Sequence, residues 1–211
     1  MGKVKIKKQD VWIDMTPMSD VMVLLLTFFM MTSTFVKNEP AKVLTPSSVS
    51  EIKVPEKDAL TILVDSVGKV FMGMDNQGEI REVLSEITGL FGVSLNAEQQ
   101  ANFLQDAMWG VPIENLDEYL KLDVNEMNKY IQSEKNEGIP LDSIENGDGT
   151  KGMSQFQHWV KAARGVNDDL KLIIKGDQHT PYKTVKRIMN ELRDINENRY
   201  FLATSLKSSE D

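Results

Sequence analysis

The sequence predicts an α+β protein in which a single N-terminal transmembrane helix precedes a small sheet with helices on one face. Three observations support this fold class: an apolar stretch over residues 16–36, a strand–turn–strand pattern from residue 60, and a strand–helix–strand pattern near the end of the chain. With 211 residues, the chain has room for one ordinary domain beside the apolar stretch. Helices that alternate with strands in this way are typical of a helical layer packed on a sheet.

The apolar stretch runs from Thr16 to Val36 and reads TPMSDVMVLLLTFFMMTSTFV. About twenty residues at about 1.5 Å per residue cross the roughly 30 Å hydrocarbon core of a bilayer. Because lipid offers the backbone no hydrogen-bond partners, a lone span of this kind should be an α-helix. Thr16 is the predicted N-cap and Pro17 suits the first turn, and the helix is expected to continue to about Val36.

Asp20 is the single charged residue in this stretch. Placing a charge in the hydrocarbon core costs about 2.5–3.5 kcal/mol on insertion scales, so such a carboxylate usually faces protein or water. There it can bind and release a proton, which makes Asp20 the candidate proton-carrying residue. The alternative is that Asp20 lies among the lipid headgroups, because the uncharged run from Val21 to Val36 is short for a span.

Helical spacing places a partly polar stripe on one side of the predicted helix, formed by Asp20, Leu24, Thr27, Met31 and Thr34. These positions repeat with the period of a coiled-coil seam. A polar stripe suits contact with a second helix or the lining of a wet passage, so Thr27 and Thr34 are candidate pore-lining residues. Alternatively, the two threonines pack against neighbours and donate to the backbone of their own helix.

The charges on either side of the span predict its orientation. Residues 1–15 form a short tail whose first nine residues contain four lysines and no acid, whereas Lys37, Glu39 and Lys42 follow the span. Under the positive-inside rule the N-terminus is cytoplasmic and the long C-terminal part lies outside. A cleaved signal peptide is the alternative, but the apolar run is longer than a usual signal core and no small-residue cleavage motif follows it.

Residues 37–58 form the predicted linker, because their prolines and serines are typical of an extended or mobile segment. A short β-like piece, Glu51 to Val54, lies within it. From Leu60, the segments LTILVD and VFMGM flank a turn and predict a hairpin. The segment from Gln77 to Leu90 then shows the apolar spacing of a helix.

The section from Phe91 to Val166 is predicted to be mostly helical. An amphipathic helix over Leu116–Lys135 is expected to pack on a small core. The sequence NGDG at residues 146–149 predicts a loop, and the acidic segment around it lacks the twelve-residue spacing of a calcium-binding loop. The other two predicted helices in this section are Ala97–Trp109 and Ser154–Ala163.

The chain ends with a strand–helix–strand pattern. Apolar residues alternate along LKLIIKG, which predicts a strand from Leu170 to Gly176. Thr180 is a possible cap and Pro181 the first residue of the following helix. RYFLATSL, residues 199–206, is the last predicted strand, and residues 207–211 form a C-terminal tail.

Two segments resemble the ExbD/TolR family, the single-span partner subunits of proton-driven motors in bacterial inner membranes. The first is IDMTPMSDVMVLLLTFFMMTSTF, and the second is KGDQHTPYKTVKRIMNEL followed by RYFLATSL; the hairpin sequence LTILVDSVGKVFM is similar too. Residues 59–206 would then be a periplasmic domain of this type, in which residues 89–166 form a helical insertion whose role does not carry over. The matching positions are Ile13, Asp14, Thr16, Pro17, Asp20, Gly176, Asp177, Tyr182, Val185 and Met189.

The resemblance implies a homodimer of single spans seated in the pore of a pentameric ExbB/TolQ-like membrane protein, in the bacterial inner (cell) membrane. Asp20 would bind and release protons as they cross. The periplasmic domain would transmit motion to a TonB-like or Tol-like partner, as in TonB-dependent transport, or bind cell-wall components. Ile52 and Val54, together with the last strand, are candidate edges for pairing with a partner or a second copy, and Tyr182 is a candidate partner contact.

Composition and motifs argue against other function classes. The net charge of −8 argues against nucleic-acid binding, and a chain without cysteine has no thiol chemistry or cysteine metal site. His158 and His179 lack metal-ligand spacing, and the sequence has no phosphate-binding loop or nucleophile elbow, so no enzyme activity, metal or cofactor is expected.

Two alternatives to the proton-driven motor subunit remain at this stage. The first is a membrane-anchored periplasmic binding or scaffolding protein that does not translocate protons, in which Asp20 serves helix pairing or insertion. The second is a flagellar stator subunit of the B type, which also uses an intramembrane aspartate. No peptidoglycan-binding domain of the stator type is recognisable in the sequence.

Overall fold

The structure is a computed structural model that describes residues 15–33, 40–41, 43–48, 58–106, 108–145 and 151–206. The chain divides into two units, residues 1–36 and residues 37–211. Each unit is described by itself below. The predicted strand piece from Glu51 to Val54 lies outside the described residues.

The first unit contains helix α1, Thr16–Thr32, with Pro17 in its first turn as predicted. The cap position is occupied by Met15 rather than by Thr16, and Ser33 has extended backbone (φ −70°, ψ 115°) that ends the helix before Val36. Threonine and serine are weak helix formers, which is consistent with an end at this point. No helix within the described residues has both the length and the apolar character required to cross a membrane.

The second unit is built on a four-stranded sheet of order β3-β2-β6-β7. Strands β2, Ala59–Val64, and β3, Val70–Met74, pair antiparallel and confirm the predicted hairpin. Asp65 fixes the turn, because its Oδ1 accepts the backbone N–H groups of Val67, Gly68 and Lys69 at 2.8–2.9 Å. Gly68 has φ 99°, a conformation that glycine adopts without strain.

The other two strands run parallel to β2. Strand β6, Lys171–Gly176, lies beside β2, and β7, Tyr200–Leu202, lies beside β6. Alternation was predicted along β6, but Leu172, Ile173 and Ile174 are all buried. A central strand with two covered faces buries consecutive residues, which explains the difference.

The last predicted strand is interrupted. After β7 the chain forms a separate two-residue strand β8, Ser205–Leu206, which pairs parallel with β1, Ser47–Ser48. The final residues of the described chain therefore hold part of the predicted linker in a second, two-stranded sheet.

Three helices pack beside one another. Helix α6, Gln155–Val166, contacts both α2, Gln77–Phe91, and α7, Tyr182–Asp194. Ile80, Val83, Ile188 and Leu192 enter the same buried cluster as the strand residues; a single cluster joins helices and sheet. This is the mixed α+β arrangement that the sequence predicted.

The section from Phe91 to Val166 contains shorter elements than predicted. Helix α3 ends at Gln105, not at Trp109, because Trp109 exchanges two backbone hydrogen bonds with Met72 of β3 at 2.7 and 2.8 Å. Together with the bond from Ile139 N–H to the Val70 carbonyl, this covers the outer edge of the sheet. The elements are α3 (Ala97–Gln105), a 3-10 helix (Ile113–Asn115), α4 (Leu116–Tyr119), α5 (Val124–Gln132), β4 (Ser143–Glu145) and β5 (Lys151–Ser154).

The prediction of one continuous helix over Leu116–Lys135 is wrong, because the segment forms two helices. It breaks between α4 and α5, where Asp123 has extended backbone (φ −68°, ψ 154°). The break lets Tyr119 stay buried and donate its hydroxyl to Asp106 at 2.6 Å, while Met127 and Ile131 of α5 also reach the core. The break is favoured because it lets apolar side chains of both α4 and α5 be buried, although the spacing of apolar residues is helical throughout the segment.

This section shares its core with the sheet. Phe103, Trp109 and Trp159 form an aromatic cluster with ring centroids 5.3–6.1 Å apart. Gly110 passes so close to Phe71 of β3 that a Cβ atom there would lie 2.0 Å from the ring. Within the second unit, the section is therefore an integral layer and not a separate domain.

Candidate functional site

Asp20 is the one charged residue of α1 and lies in the second turn of the helix. Every residue of α1 is exposed within this chain, including large apolar side chains such as Phe29, which is 64% exposed. Among the described residues the Asp20 carboxylate forms no ion pair. A continuous apolar surface of this kind marks a region that contacts lipid or other protein chains.

Two threonine hydroxyls of α1 donate to the backbone of their own helix, and of these Thr27 belongs to the polar stripe while Thr32 does not. The Thr27 hydroxyl donates to the carbonyls of Val23 and Leu24, both at 2.9 Å, and the Thr32 hydroxyl donates to the Phe28 carbonyl at 2.9 Å. A threonine that bonds in this way still has a free oxygen lone pair facing outward. Thr34, the second candidate pore-lining residue, lies outside the described residues.

In the second unit, the loop between β6 and α7 holds the linker. The Leu44 N–H donates to Asp177 Oδ2 at 2.8 Å, and the Gln178 N–H donates back to the Leu44 carbonyl at 2.8 Å. We call these two bonds, formed by Leu44, Asp177 and Gln178, the linker clamp. The pairing of β1 with β8 fixes the same segment a few residues later.

The groups around Asp177 hold its side chain in place and keep it ionised. Its side chain is 8% exposed, and Oδ1 accepts the His179 N–H at 2.8 Å while the His179 ring nitrogen Nδ1 lies 3.0 Å away. The backbone N–H of His179, followed by that of Leu44, holds the pKa of Asp177 below its usual range. The carboxylate therefore stays ionised and keeps accepting both amides.

Thr180 does not cap α7, contrary to the prediction. Its hydroxyl accepts the Asp177 N–H at 3.1 Å and donates to the Asp65 carbonyl at 2.9 Å, so it ties the loop to the β2–β3 turn. Pro181 occupies the position before the helix, and no side chain caps it. Proline fits there because it has no N–H that needs a partner.

Three large apolar residues are exposed where β2 and β6 end. Leu44 is 64% exposed, and Val67 and Tyr182 are each 74% exposed. We call Leu44, Val67 and Tyr182 the strand-end surface. Leu44 belongs to the clamp, Val67 to the hairpin turn, and Tyr182 to the first turn of α7, next to the Thr184 side chain that contacts the turn at Gly68.

The predicted pairing edges are only partly described. Ile52 and Val54 lie outside the described residues. Strand β7 pairs with β6 on one side, and no strand within the described part of the chain pairs with its other side. The strand is three residues long, and its end, Leu202, is 45% exposed.

Comparison with known proteins places these features in a family. A family model described as biopolymer transport protein ExbD/TolR matches residues 7–207, nearly the whole chain. The chain belongs to the ExbD/TolR family. No curated protein and no solved structure matches it.

Membership in the ExbD/TolR family confirms the resemblance and gives the broad role. The family comprises biopolymer transport proteins, which are transport-related and not known as enzymes. In general they are anchored in the inner membrane and work with ExbB/TolQ and TonB/Tol partners. Among the described residues, no group of three or more His, Cys, Asp or Glu side chains is arranged to hold a metal ion.

Sequence analysis singled out Asp177 as a position that matches the family and Tyr182 as a candidate partner contact, which stays a prediction, and it did not single out Leu44. Asp177 and Tyr182 stood out because their residue types matched the family pattern. Leu44 contributes its backbone N–H and carbonyl to the clamp, and any residue except proline supplies these. A backbone contact across 133 positions leaves no signal in a single sequence.

Proposed function

We propose that the chain is the proton-coupled subunit of an inner-membrane motor of the ExbB/ExbD or TolQ/TolR type, with Asp20 as proton carrier. The single observation that carries the proposal is a lone carboxylate in an apolar helix whose whole surface is exposed in this chain. Such a helix needs lipid or protein around it, and a carboxylate in that setting favours a protein neighbour or water.

The proposed mechanism uses the change of charge on Asp20. A neutral carboxylic acid tolerates an apolar neighbour, whereas the ionised form favours water or a hydrogen-bond donor by several kcal/mol. A membrane potential of 100 mV supplies about 2.3 kcal/mol per charge, which is comparable with that preference. Protonation from one side and release to the other then drives movement of the helix relative to the ring that surrounds it.

The proposed assembly follows the family. Residues 16–36 span the membrane, the N-terminus is cytoplasmic, and residues 59–206 form the periplasmic domain. Two copies lie in the pore of a pentameric ExbB/TolQ-like protein, where Thr27 and Thr34 face a water path. The strand-end surface, which includes Tyr182, contacts a TonB-like or Tol-like partner, and Ile52 and Val54 pair at a strand edge. The work is delivered to transport or to an envelope process at the outer membrane.

Substitution of Asp20 tests this function in cells. Asp20→Asn keeps the size of the side chain and removes the titratable proton, whereas Asp20→Glu keeps the carboxylate. We expect Asp20→Asn to abolish energy-dependent function while the variant still inserts and co-purifies with its membrane partner, and Asp20→Glu to retain part of the function. Normal function of Asp20→Asn would favour the alternative of a membrane-anchored scaffolding protein.

A further inference from the structure

A cleft of about 580 Å³ opens where the β4–β5 hairpin meets helices α6 and α7. Met153 and Ile195 supply apolar wall, and the charged groups come from the two helices. The volume falls within the roughly 300–1,000 Å³ range of small-molecule sites. The cleft is lined by residues of the second unit and shares none of them with the linker clamp.

A positively charged side chain and two negatively charged ones line the cleft from different helices. Lys161 projects from α6, whereas Glu191 and Asp194 come from α7. Within the described chain, none of these three side chains forms an ion pair. The cleft is therefore lined by an ammonium group and two carboxylates that form no ion pair with one another.

The acidic side of the cleft is held in place. The Ser154 hydroxyl donates to Glu191 Oε2 at 2.7 Å, and the buried Gln157 amide donates to the Glu191 backbone carbonyl at 3.0 Å. These two bonds join the start of α6 to α7. Glu191 Oε1 is left with no hydrogen bond among the described residues, so a carboxylate oxygen is positioned for an incoming donor.

The lining also contains an uncharged hydrogen-bonding group. The His158 ring is half-buried against Phe91, with ring centroids 5.2 Å apart and an edge-to-face angle of 86°. Burial, and then the charge of Lys161, lowers the pKa of His158, which favours the neutral ring. It adds a hydrogen-bonding nitrogen beside Lys161 without adding charge to the cleft.

We propose that this cleft binds a dipolar ligand, a free amino acid or short peptide, whose ammonium group contacts Glu191 and Asp194 and whose carboxylate contacts Lys161. A ligand with both charges completes two ion pairs that the protein leaves unmade. A ligand with one charge completes one of them and leaves the other side solvated. The inference does not rest on proton coupling by Asp20, because it uses no residue of α1.

Peptides with one blocked terminus test whether a ligand must carry both an ammonium group and a carboxylate. The full chain in detergent is titrated calorimetrically with glycylglycine, with N-acetylglycylglycine, which lacks the ammonium group, and with glycylglycine amide, which lacks the carboxylate. We expect glycylglycine to bind about tenfold more tightly than either blocked form, because each blocking group removes one charge-assisted hydrogen bond to the cleft. Absence of glycylglycine binding, or equal binding of the three peptides, would overturn the proposal.

Two variants assign each charge to its side of the cleft. Lys161→Gln should remove the advantage of glycylglycine over glycylglycine amide, and Asp194→Asn should reduce its advantage over N-acetylglycylglycine. Lys129→Gln and Glu126→Gln, on the exposed face of α5, are the matched controls and should bind like the original chain. Both cleft residues are exposed, so folding, checked by circular dichroism, is expected to be retained. Unchanged discrimination in the two cleft variants would contradict the assigned contacts.

Discussion

Helix α1 and strand β2 are both rich in apolar residues, but those of β2 are mostly buried whereas those of α1 are exposed. Ile62 and Leu63 of β2 are 0% exposed, whereas Leu26 of α1 is 67% exposed. The strand finds its partners in the sheet and the helices of the same unit. Among the described residues of the first unit, nothing covers the apolar surface of α1, and exposed surfaces of this kind commonly contact lipid or other protein chains. The second unit therefore buries its own apolar strands, whereas the apolar side chains of α1 stay exposed.

Helix α7 carries both a buried residue, Ile188, and an exposed one, Tyr182. One helix therefore supplies the variant with the largest expected loss of stability and its control. Ile188 is 0% exposed and Tyr182 is 74% exposed on the same helix. Ile188→Ala should lower the free energy of unfolding by about 2–5 kcal/mol, because it leaves a cavity in the core, whereas Tyr182→Ala should change it by less than about 0.5 kcal/mol. Chemical denaturation followed by circular dichroism measures both. Equal losses for the two variants would mean that Tyr182 is structural and not available to a partner.

Gly110 and Gly89 differ in the free space around them within the folded unit. A Cβ at Gly110 would lie 2.0 Å from the Phe71 ring, whereas a Cβ at Gly89 meets nothing within 4 Å. Gly110→Ala should lower the free energy of unfolding by about 1–3 kcal/mol or more through overpacking. Gly89→Ala, inside helix α2, should raise it by about 0.5–1 kcal/mol. Thermal unfolding of the two variants under the same conditions tests whether the inserted section shares the core of the sheet.

The linker clamp should weaken in acid. The pKa of Asp177 is lower in the folded state than its ordinary value, so its contribution is fully present above the ordinary aspartate pKa and is lost as pH falls through the folded value. Hydrogen exchange at the Leu44 amide should therefore become faster, relative to its intrinsic rate, as the pH falls through that region.

Asp177→Asn should accelerate exchange at Leu44 at neutral pH, since an amide side chain offers one acceptor oxygen where two backbone donors converge. Asp169→Asn, at an exposed turn position, is the matched control and should leave Leu44 protected. A Leu44 amide that exchanges at the same rate in both variants would show that the carboxylate does not hold the linker.

The smallest expected effect lies in α1. Leu26→Ala truncates a side chain of the first unit that is 67% exposed, so the free energy of unfolding of the second unit should change by less than about 0.5 kcal/mol. The same chemical denaturation experiment in detergent measures it, with Ile62→Ala as the comparison. A loss of the size seen for a core substitution would mean that α1 contributes to the stability of the folded unit.

The sequence predicted those elements whose structure is determined locally. The hairpin of β2 and β3, helix α2 and the final helix all follow from spacing and turn residues within short windows. The single helix over residues 116–135 was wrong, because its spacing is helical but Tyr119 and Ile131 both reach the core through a break. Periodicity detects apolar faces and does not reveal where the chain turns to bury a second one.

The sequence pointed to candidate site residues only where the type of the residue is itself informative. Asp20 is conspicuous as a lone charge in an apolar run. The linker clamp depends on backbone groups of Leu44 and Gln178, and the cleft at Lys161, Glu191 and Asp194 brings together segments about 30 residues apart in the chain. The cleft follows from the packing of α6 on α7, and the clamp follows from the path of the linker beside the β6–α7 loop, so neither can be deduced from local pattern.

Proton flux through the reconstituted assembly shows whether Asp20 carries protons across the membrane. The chain is placed in proteoliposomes with its ring-forming membrane partner, a potential is applied, and acidification of the lumen is followed with a pH-sensitive dye. We predict flux with the original chain, reduced flux with Asp20→Glu, and flux no greater than in protein-free vesicles with Asp20→Asn, with equal amounts of assembly in each sample. Undiminished flux in the Asp20→Asn assembly would contradict the assignment of Asp20 as proton carrier.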